Sequence, residues 1–361
     1  MQRGHRAQPT IFKGCVDLAF VIRSGMVVPI VAHPDLCNEP RPVPSPPKRV
    51  LVFGATGTIG RATTRALIDR GHEIVCFVRR PTAIPGATIR VGDVTDPQSL
   101  TRDAFRGERF DAVVSCLASR TGAPQDAWAI DHAAHIGILG AAKSAGVPQM
   151  VLLSAICVQR PLLAFQHAKL AFERALIESG LTYSIVRPTA FFKSLSGQLD
   201  RLKRGKPFLV FGDGTLTACK PISDADLAAY LAACLDDPAR HDRILPIGGP
   251  GDAITPKQQG ERLFALLGRP PRFKHVPVAL LDTIIAGLAT AGRIVPALAA
   301  KAELARIGRY YATESMLVLD PATGRYDPAA TPATGTETLF DFYARLVAGE
   351  VTIDRGDHAV F

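Results

Sequence analysis

The stretch Gly54-Ala55-Thr56-Gly57-Thr58-Ile59-Gly60 decides the fold of this chain. It follows Arg49–Phe53, an apolar and β-branched run that predicts a buried strand, and it precedes residues 61–70, whose apolar side chains recur at helical spacing. Glycines at such a turn let backbone amides approach a pyrophosphate, and the first N–H groups of the helix add partial positive charge. The alternative is a glycine-rich turn that binds no ligand. The position of this stretch between a strand and a helix favours a dinucleotide site instead. The predicted members of that site are Gly54, Thr56, Gly57, Thr58, Ile59 and Gly60.

Strand and helix patterns alternate along the chain after this turn. Further strands are predicted at residues 73–78, 88–91, 111–117, 149–154 and 182–187, with helices at 130–145 and 162–179. Such alternation indicates βαβ units and a parallel sheet that is covered on both faces. Later helices are predicted at 223–235, 256–267 and 278–305, the last one interrupted at Pro296. The expected fold class is α/β, a Rossmann-like doubly wound parallel sheet with a smaller, mostly helical C-terminal substrate-binding part.

Three regions are expected along the chain. Residues 1–48 begin polar and basic, carry two short apolar stretches split by Arg23 and Ser24, and end in a proline tract, so they predict a flexible or loosely docked extension. Residues 49–250 form the dinucleotide-binding domain, with part of the substrate pocket after residue 188. Residues 251–361 form a C-terminal substrate-binding and capping region.

Composition excludes several classes of protein. The 361 residues are 47% hydrophobic and 21% charged, which is ordinary globular usage and excludes a disordered chain, a collagen or a coiled coil. The formal net charge of +9 comes without a long basic run or interleaved aromatic residues, so we expect no nucleic-acid partner. A basic surface also suits anionic small molecules or an anionic membrane face, and no clear membrane-spanning helix is present.

Cysteine and histidine usage predicts no metal site. The 7 cysteines include no CxxC pair, which indicates reduced thiols packed as small hydrophobes in a cytoplasmic protein. His132, His135 and His167 are joined by no carboxylate or thiolate cluster in the sequence. Peripheral contact with a membrane and the oligomeric state stay open at this point.

The ends of the later strands predict the rest of the cofactor site. Arg79 and Arg80 follow the second strand, where two guanidinium groups suit the 2′-phosphate of NADPH. Asp93 ends the third strand and is expected to accept a hydrogen bond from adenine, with Val94 covering the ring. After the fourth strand, Cys116 and Leu117 are predicted to line the cofactor, Cys116 without acting as a nucleophile.

These features resemble the atypical and extended short-chain dehydrogenase/reductases over roughly residues 49–250. The resemblance rests on the GATGTIG turn, Asp93, the AAKSAGV helix end at 141–147, Ser154 and the Arg-Pro-Thr run at 187–189. It implies cofactor contacts for Ser154, Lys169 and Pro188. The superfamily's Tyr-xxx-Lys pair reads Phe165-Gln166-His167-Ala168-Lys169 here, so the lysine is kept and the general-acid tyrosine is replaced. The resemblance therefore implies Lys169 as the catalytic residue, while ordinary carbonyl reduction is not expected.

Longer segments narrow the resemblance. Residues 152–161, 165–173, 187–195 and 310–318 are similar to the family of NADPH-dependent divinyl chlorophyllide 8-vinyl-reductases, which extends the match from about residue 49 to about residue 350. This implies reduction of the 8-vinyl group of a chlorin, divinyl chlorophyllide or protochlorophyllide, to ethyl in chlorophyll or bacteriochlorophyll synthesis. The proton donor stays open between Lys169, a water and another group. The alternatives are another tyrosine-less NADPH-dependent alkene reductase, or a non-catalytic NADP(H)-sensing regulator or assembly factor.

A chlorin substrate, carrying its own magnesium, implies a large apolar pocket with a basic edge. Candidate walls are Phe191, Phe192, Phe208 and the apolar residues 280–298. Candidate cations for the substrate carboxylate are Lys193, Arg201, Lys203, Arg204 and Lys206.

Overall fold

The computed structural model of the protein describes residues 46–353, apart from the side chains of residues 296 and 297, and two short strands before them. The chain divides into two units, Met1–Pro46 and Pro47–Phe361. In the first unit, β1 (Ile22–Arg23) pairs antiparallel with β2 (Met26–Val27). The rest of the predicted extension, with Cys15 and Cys37, lies outside the described residues.

A seven-stranded parallel sheet forms the centre of the second unit, in the order β10-β8-β7-β6-β3-β4-β5. The strands are β3 (Arg49–Phe53), β4 (Glu73–Val78), β5 (Ala87–Val91), β6 (Ala112–Ser115), β7 (Gln149–Leu153), β8 (Thr182–Pro188) and β10 (Arg243–Ile247). The strand order reverses direction between β3 and β6, and a crevice opens beyond the carboxyl ends of strands at such a switch point. The predicted Rossmann-like doubly wound fold is confirmed.

Both faces of the sheet are buried because alternate residues of each strand point to opposite sides. Leu51 and Phe53 of β3 pack in one core with side chains of helices α4 and α5. Val50 and Val52 pack in the opposite core with side chains of α1 and α8. The helices of the two layers are α1 (Thr58–Asp69), α4 (His135–Ser144), α5 (Ala164–Ile177) and α8 (Asp224–Ala233).

Short helical turns precede three of these elements. α2 (Pro97–Ser99) continues as a π-helical turn at Leu100–Phe105. α3 (Pro124–Ala127) continues as a second π-helical turn at Trp128–Ala134, which leads directly into α4. A short 3₁₀ helix, Ile156–Gln159, follows β7. At α8, Ser223 accepts a hydrogen bond from the backbone N–H of Asp226, so this side chain caps the helix.

The structure differs from the predicted elements in the second half of the chain. β10 was not predicted, because it is a five-residue edge strand that is half exposed and contains Pro246. The helix predicted at 278–305 is interrupted as expected, and Pro296 occupies the first turn of the second piece. The pieces are α10 (Val278–Gly292) and α11 (Pro296–Thr313), so the second one runs further than predicted.

The remaining elements form the part that extends beyond the sheet. They are α6 (Phe192–Leu195), α7 (Leu199–Lys203), β9 (Phe208–Phe211), α9 (Pro256–Leu266), β11 (Phe273–Val276), β12 (Val318–Leu319), β13 (Tyr326–Asp327) and α12 (Leu339–Ala348), whereas a 3₁₀ turn at Pro238–Arg240 connects α8 to β10 of the sheet. Phe192 and Leu199 pack here in one core with Leu263 and Tyr343. Residues before and after 250 thus share a core, and the boundary at that position stays a prediction.

Candidate active site

The glycine-rich turn lies between β3 and α1, where the sequence predicted it. Gly57 is the N-cap of α1, and no side chain caps this helix end. No acidic side chain lies in the first turn of the helix, so its unpaired N–H groups and partial positive charge are available to an anion. Thr56, Gly57 and Thr58 are exposed, whereas Ile59 and Gly60 are buried beneath them.

The three glycines of the turn differ in what a side chain at each position would meet. Gly54 has a φ of +76°, and a Cβ there would lie 2.5 Å from the carbonyl carbon of Cys116. A Cβ on Gly60 would lie 2.0 Å from the carbonyl oxygen of Gly54, so both positions are closed by the protein itself. A Cβ on Gly57 would meet nothing nearer than the Gly54 oxygen at 3.6 Å. Gly57 therefore leaves open space in front of the helix N-terminus, which fits the close approach of a pyrophosphate.

Arg79 and Arg80 are both exposed just after β4. Neither guanidinium forms an ion pair with another residue of the described region. Arg79 is close enough to Asp93 to contribute to lowering the pKa of its carboxyl, although the main cause is the hydrogen bond from the backbone N–H of Thr95. This Thr95 contact is 2.8 Å to Oδ1 of Asp93, and the Thr95 hydroxyl donates to the same oxygen at 2.7 Å. The two arginines and Asp93 thus come together at one edge of the sheet.

The other residues predicted to line the cofactor site are partly buried in the protein core. Val94 is buried in the core with Phe53 and Phe77, so a contact of its side chain with adenine stays a prediction. Burial raises the pKa of the Cys116 thiol to about 12, which agrees with a lining role and disfavours a thiolate nucleophile. Leu117 is partly buried, and its backbone N–H donates to Ser115 Oγ at 3.4 Å.

Lys169 lies on α5 and forms a buried ion pair that the sequence did not reveal. Its Nζ is 2.9 Å from Oδ1 of Asp131, and the two side chains are 12% and 0% exposed. Asp131 also accepts hydrogen bonds from the Ser119 hydroxyl at 2.6 Å and from the Ser119 backbone N–H at 3.2 Å. The carboxylate thus fixes both the lysine and the loop after β6.

His135 lies beside this group and is held as a neutral side chain. Its Nε2 is 2.9 Å from Ser115 Oγ, and its Nδ1 is 2.8 Å from the carbonyl oxygen of Ile130. Burial lowers its pKa to about 4. Within residues 46–353, no three His, Cys, Asp or Glu side chains are grouped so as to hold a metal ion.

Ser154 and Pro188 end β7 and β8, and both are buried. The Ser154 hydroxyl donates to Glu173 of α5, whose carboxylate also pairs with Arg187. Because that hydroxyl is already donated, a contact of Ser154 with the cofactor through its side chain stays a prediction. Pro188 lies opposite Ile247 of β10 in the sheet.

Helix α11 contacts the loop after β6 and the start of α5. A Cβ on Gly122 would lie 2.9 Å from Cδ1 of Ile307 and 3.6 Å from Cδ1 of Phe165. Leu304, Ile307 and Tyr311 are spaced three and four residues apart, so they share one face of α11. Ile307 is buried, whereas Leu304 and Tyr311 are exposed at 45% and 42%. This face, which we call the α11 face, extends from Phe165 outward and offers apolar surface.

The predicted pocket walls are partly wrong. Phe192 and Phe208 are each 3% exposed and pack in the C-terminal core, so neither lines an open pocket. Phe191 is half-buried and packs against the core on the α1 side of the sheet. Helix α10 contains no buried residue, and a role for its apolar side chains as a pocket wall stays a prediction.

The predicted basic stretch separates into three roles. Lys193 Nζ donates to Thr58 Oγ1 at 3.1 Å, so this cation lies at the glycine-rich turn. Arg201 donates to the carbonyl oxygen of Pro207 at 2.7 Å and holds a turn. Lys203 and Arg204 line an open surface pocket of about 440 Å³ with Arg269, Arg272 and Phe264. Lys206 is exposed next to them.

Sequence reasoning missed Asp131, Ser119, Tyr311 and the contact of Lys193 with the turn. One signal was available for Asp131, because it is the one acidic residue in the largely apolar segment 127–139. The other contacts join residues far apart in the chain and leave no local pattern.

The described part of the chain contains no helix that is both long and apolar enough to cross a membrane. The family model described as NAD(P)H-binding matches residues 54–238. The chain is 46% identical over 340 residues to a divinyl chlorophyllide a 8-vinyl-reductase of Zea mays, described as chloroplastic, covering 89% of this chain and 85% of that one. It is 48% identical over 318 residues to the protein of that name from Arabidopsis thaliana, covering 82% and 76%.

Among solved structures, the NADPH-dependent quinone oxidoreductase QOR2 of Escherichia coli, complexed with NADPH, has a TM-score of 0.57. The two chains are 21% identical, and the match covers 83% of this chain and 99% of that one. At this identity the likeness shows the fold alone.

Proposed function

The chain belongs to the divinyl chlorophyllide a 8-vinyl-reductase family, and we propose from this premise that it reduces the 8-vinyl group of divinyl chlorophyllide to ethyl with NADPH. The observation that carries the proposal is the extent of the match to relatives of that name, which includes both the nucleotide-binding sheet and the C-terminal part. The reaction serves chlorophyll or bacteriochlorophyll synthesis. The enzyme is an oxidoreductase with a nicotinamide cofactor.

The residues present fit a dinucleotide along the carboxyl edge of the sheet. Gly54, Thr56, Gly57, Thr58, Ile59 and Gly60 form the turn that would hold the pyrophosphate, with Lys193 beside it. Asp93 and the backbone of Val94 would contact adenine. Cys116, Leu117, Ser154 and Pro188 lie at or just beyond the ends of the next strands, Lys169 lies on α5, and these five would contact the nicotinamide half. When bound, the reduced nicotinamide supplies a hydride.

We propose NADPH rather than NADH because of charge at the end of β4. Arg79 and Arg80 are two exposed cations without ion-pair partners in the described region, where an acidic residue would instead hold a 2′-hydroxyl. A 2′-phosphate would satisfy both guanidinium groups through charge-assisted hydrogen bonds.

The α11 face is the surface that best suits the pigment. It carries Leu304, Ile307 and Tyr311, and Ile307 approaches the same glycine, Gly122, as Phe165, which lies one turn before Lys169 on α5. A flat apolar ring laid on this face would bring its vinyl group toward the carboxyl end of β7. A vinyl group conjugated to a macrocycle spreads negative charge over the ring, so the chain's main tasks are positioning the reactants and excluding water.

The proposal is tested by mixing the purified protein with divinyl chlorophyllide a and NADPH and following the pigment's absorbance. We expect conversion to the 8-ethyl product, and a parallel assay with the protochlorophyllide establishes the preferred pigment. Tight NADPH binding without turnover would instead support a sensing or assembly role. Turnover only with other conjugated alkenes would support a different tyrosine-less reductase.

We further propose that the protein makes peripheral contact with an anionic membrane surface through the turn between α10 and α11. That turn contains Arg293, Ile294 and Val295, with Ile294 exposed at 85% and Val295 at 46%. Leu280 and Ile284 of α10 are also exposed, and the chain carries a net charge of +9. Apolar side chains beside a cation suit insertion between anionic headgroups.

A further inference from the structure

We propose that Tyr311 is the proton donor of the reaction, a role that rests on the proposed function. Reduction of a vinyl group needs a hydride at one carbon and a proton at the other. Among the described residues, the Tyr311 hydroxyl on α11 is not donated to an oxygen acceptor, and it lies beside Cys157, whose thiol is affected by the charge of Lys169.

The chemistry balances with a phenol as donor. The terminal vinyl carbon accepts the hydride with its electron pair from the reduced nicotinamide, which is thereby oxidised. The carbon–carbon π bond breaks, and its electron pair moves to the inner vinyl carbon and the conjugated ring. The inner carbon then forms a C–H bond with the phenolic proton of Tyr311. The resulting phenolate takes a proton from water before the next turnover.

The polar groups around Lys169 are already engaged. The Lys169 ammonium donates to Asp131 at 2.9 Å, and the Ser119 hydroxyl donates to the same carboxylate at 2.6 Å. Ser154 donates its hydroxyl to Glu173. Position 165, one turn before Lys169, is a phenylalanine and holds no proton to give.

Cys157 lies between Tyr311 and the groups around Lys169. Its hydroxyl is 3.9 Å from Cys157 Sγ, and Cys157 lies in the short helix that follows the carboxyl end of β7. The Cys157 carbonyl accepts a hydrogen bond from Gln166 of α5 at 2.9 Å, three residues before Lys169. Lys169 is also close enough to contribute to the electrostatic environment of the Cys157 thiol.

The hydroxyl of Tyr311 differs from those of the other tyrosines in the C-terminal part. Tyr310 donates to the Cys157 carbonyl at 2.8 Å, Tyr326 to Glu314 at 2.7 Å, and Tyr343 to the Leu195 carbonyl at 2.7 Å. Tyr311 has only a thiol sulfur within reach, which is a weak acceptor. Tyr311 as a whole is 42% exposed on the α11 face, although its hydroxyl is directed at the buried Cys157. Turning this hydroxyl toward a substrate would break only the weak contact with sulfur.

The surroundings keep the phenol protonated. Burial beside Cys157 and Tyr310 raises the pKa of the Tyr311 hydroxyl well above its usual value. A neutral phenol is the form that a general acid requires.

The test is Tyr311→Phe, which removes the hydroxyl and keeps the ring. We expect kcat to fall at least about 100-fold, the usual scale for loss of a positioned proton donor. The Kd for NADPH, measured by fluorescence titration in the absence of pigment, should stay within about twofold of wild type.

A second readout separates proton donation from a role in shaping the pocket. In D₂O, the wild-type enzyme should place one deuteron on the inner carbon of the new ethyl group with a single configuration, because a fixed donor approaches one face. The residual product of Tyr311→Phe should carry deuterium in both configurations. Tyr326→Phe is the matched control, since it also deletes one phenolic hydroxyl, and it should give a single configuration.

Near wild-type kcat with a single configuration in Tyr311→Phe would overturn the proposal, as would a change confined to the KM for the pigment. Absence of turnover in the wild-type enzyme would overturn the proposed function itself, and this role with it.

Discussion

At the scale of single residues, the pair formed by Lys169 and Asp131 governs the site. Its two charges are almost completely removed from water and are 2.9 Å apart. Such a pair adds little net stability, but removing one partner leaves an uncompensated buried charge. If Lys169 acts on the cofactor as we propose, Asp131 is a positioning residue, because it fixes where the Lys169 ammonium lies.

We expect Lys169→Met to lower turnover strongly and to destabilise the fold by about 3–5 kcal/mol, because Asp131 is left buried without its cation. The double variant Lys169→Met/Asp131→Asn should recover part of this stability in thermal unfolding while turnover stays low. Recovery of turnover in the double variant would contradict a catalytic role for Lys169. An unchanged rate in the single variant would leave Lys169 only a structural role in the buried ion pair with Asp131.

We expect Arg79 and Arg80 to decide whether the protein binds NADPH or NADH more tightly. Replacing both with alanine should weaken NADPH binding by about 1.5–3 kcal/mol, the usual value of a hydrogen bond to a charged group, and should leave NADH binding nearly unchanged. Titration of the two nucleotides against wild type and variant measures the difference. Equal weakening of both would show that these arginines do not bind the 2′-phosphate.

At the scale of elements, the junction of β3 and α1 serves both the packing of the fold and the proposed binding of the cofactor. Gly54 and Gly60 let the helix start directly against the strand, and Gly57 keeps the space in front of the helix open. Packing within the protein thus requires glycine at positions 54 and 60, whereas no described residue requires it at position 57, where we propose that the pyrophosphate binds. The turn can serve both folding and binding because no side chain caps the first N–H groups of α1, which leaves these groups available to an anion.

This distinction predicts opposite outcomes for two alanine substitutions. Gly60→Ala should destabilise the protein by about 1–3 kcal/mol, because its Cβ would overlap the Gly54 carbonyl oxygen. Gly57→Ala should change the free energy of unfolding by less than about 1 kcal/mol, since its φ of −72° suits alanine and its Cβ meets open space. We expect it to weaken NADPH binding at least tenfold, or about 1.4 kcal/mol. Normal NADPH affinity in Gly57→Ala would place the pyrophosphate elsewhere.

At the scale of the whole second unit, the sheet and the C-terminal part share their packing. Ile156, Cys157 and Leu163 near the end of β7 form one core with Ile307 and Tyr310 of α11. Helix α11 is therefore held against the nucleotide-binding sheet at one end, while the turn to α10 extends into solvent at the other.

The exposed turn makes a prediction about membranes. The wild-type protein should sediment with vesicles that contain anionic phospholipid and should be released by high salt, because screening weakens the charge attraction. Ile294→Asp/Val295→Asp should remain in the supernatant. Ile177→Asp, a charge placed on another exposed isoleucine, is the control and should sediment like wild type. Equal sedimentation of wild type and the double variant would contradict contact through this turn.

Much of the fold and the cofactor end of the site could be predicted from the sequence, because those features are encoded locally. A strand, a glycine-rich turn and a helix lie within residues 49–69, and the arginines after β4 and Asp93 after β5 occupy positions that any such sheet brings to one edge. The pocket walls were predicted less well. Phe192 and Phe208 are aromatic in sequence, but only packing decides whether an aromatic side chain faces a core or a cleft.

The sequence by itself determined the parallel sheet and its glycine-rich turn, since hydrophobic period and turn chemistry act over a few residues, and it predicts that a nicotinamide dinucleotide binds at that turn. Only the tertiary structure decided which side chains meet there. Lys169 contacts Asp131 from 38 positions away, Lys193 contacts Thr58 from 135, and Tyr311 contacts Cys157 from 154. Contacts at such separations depend on how whole elements pack, because no local pattern carries the position of one helix relative to another.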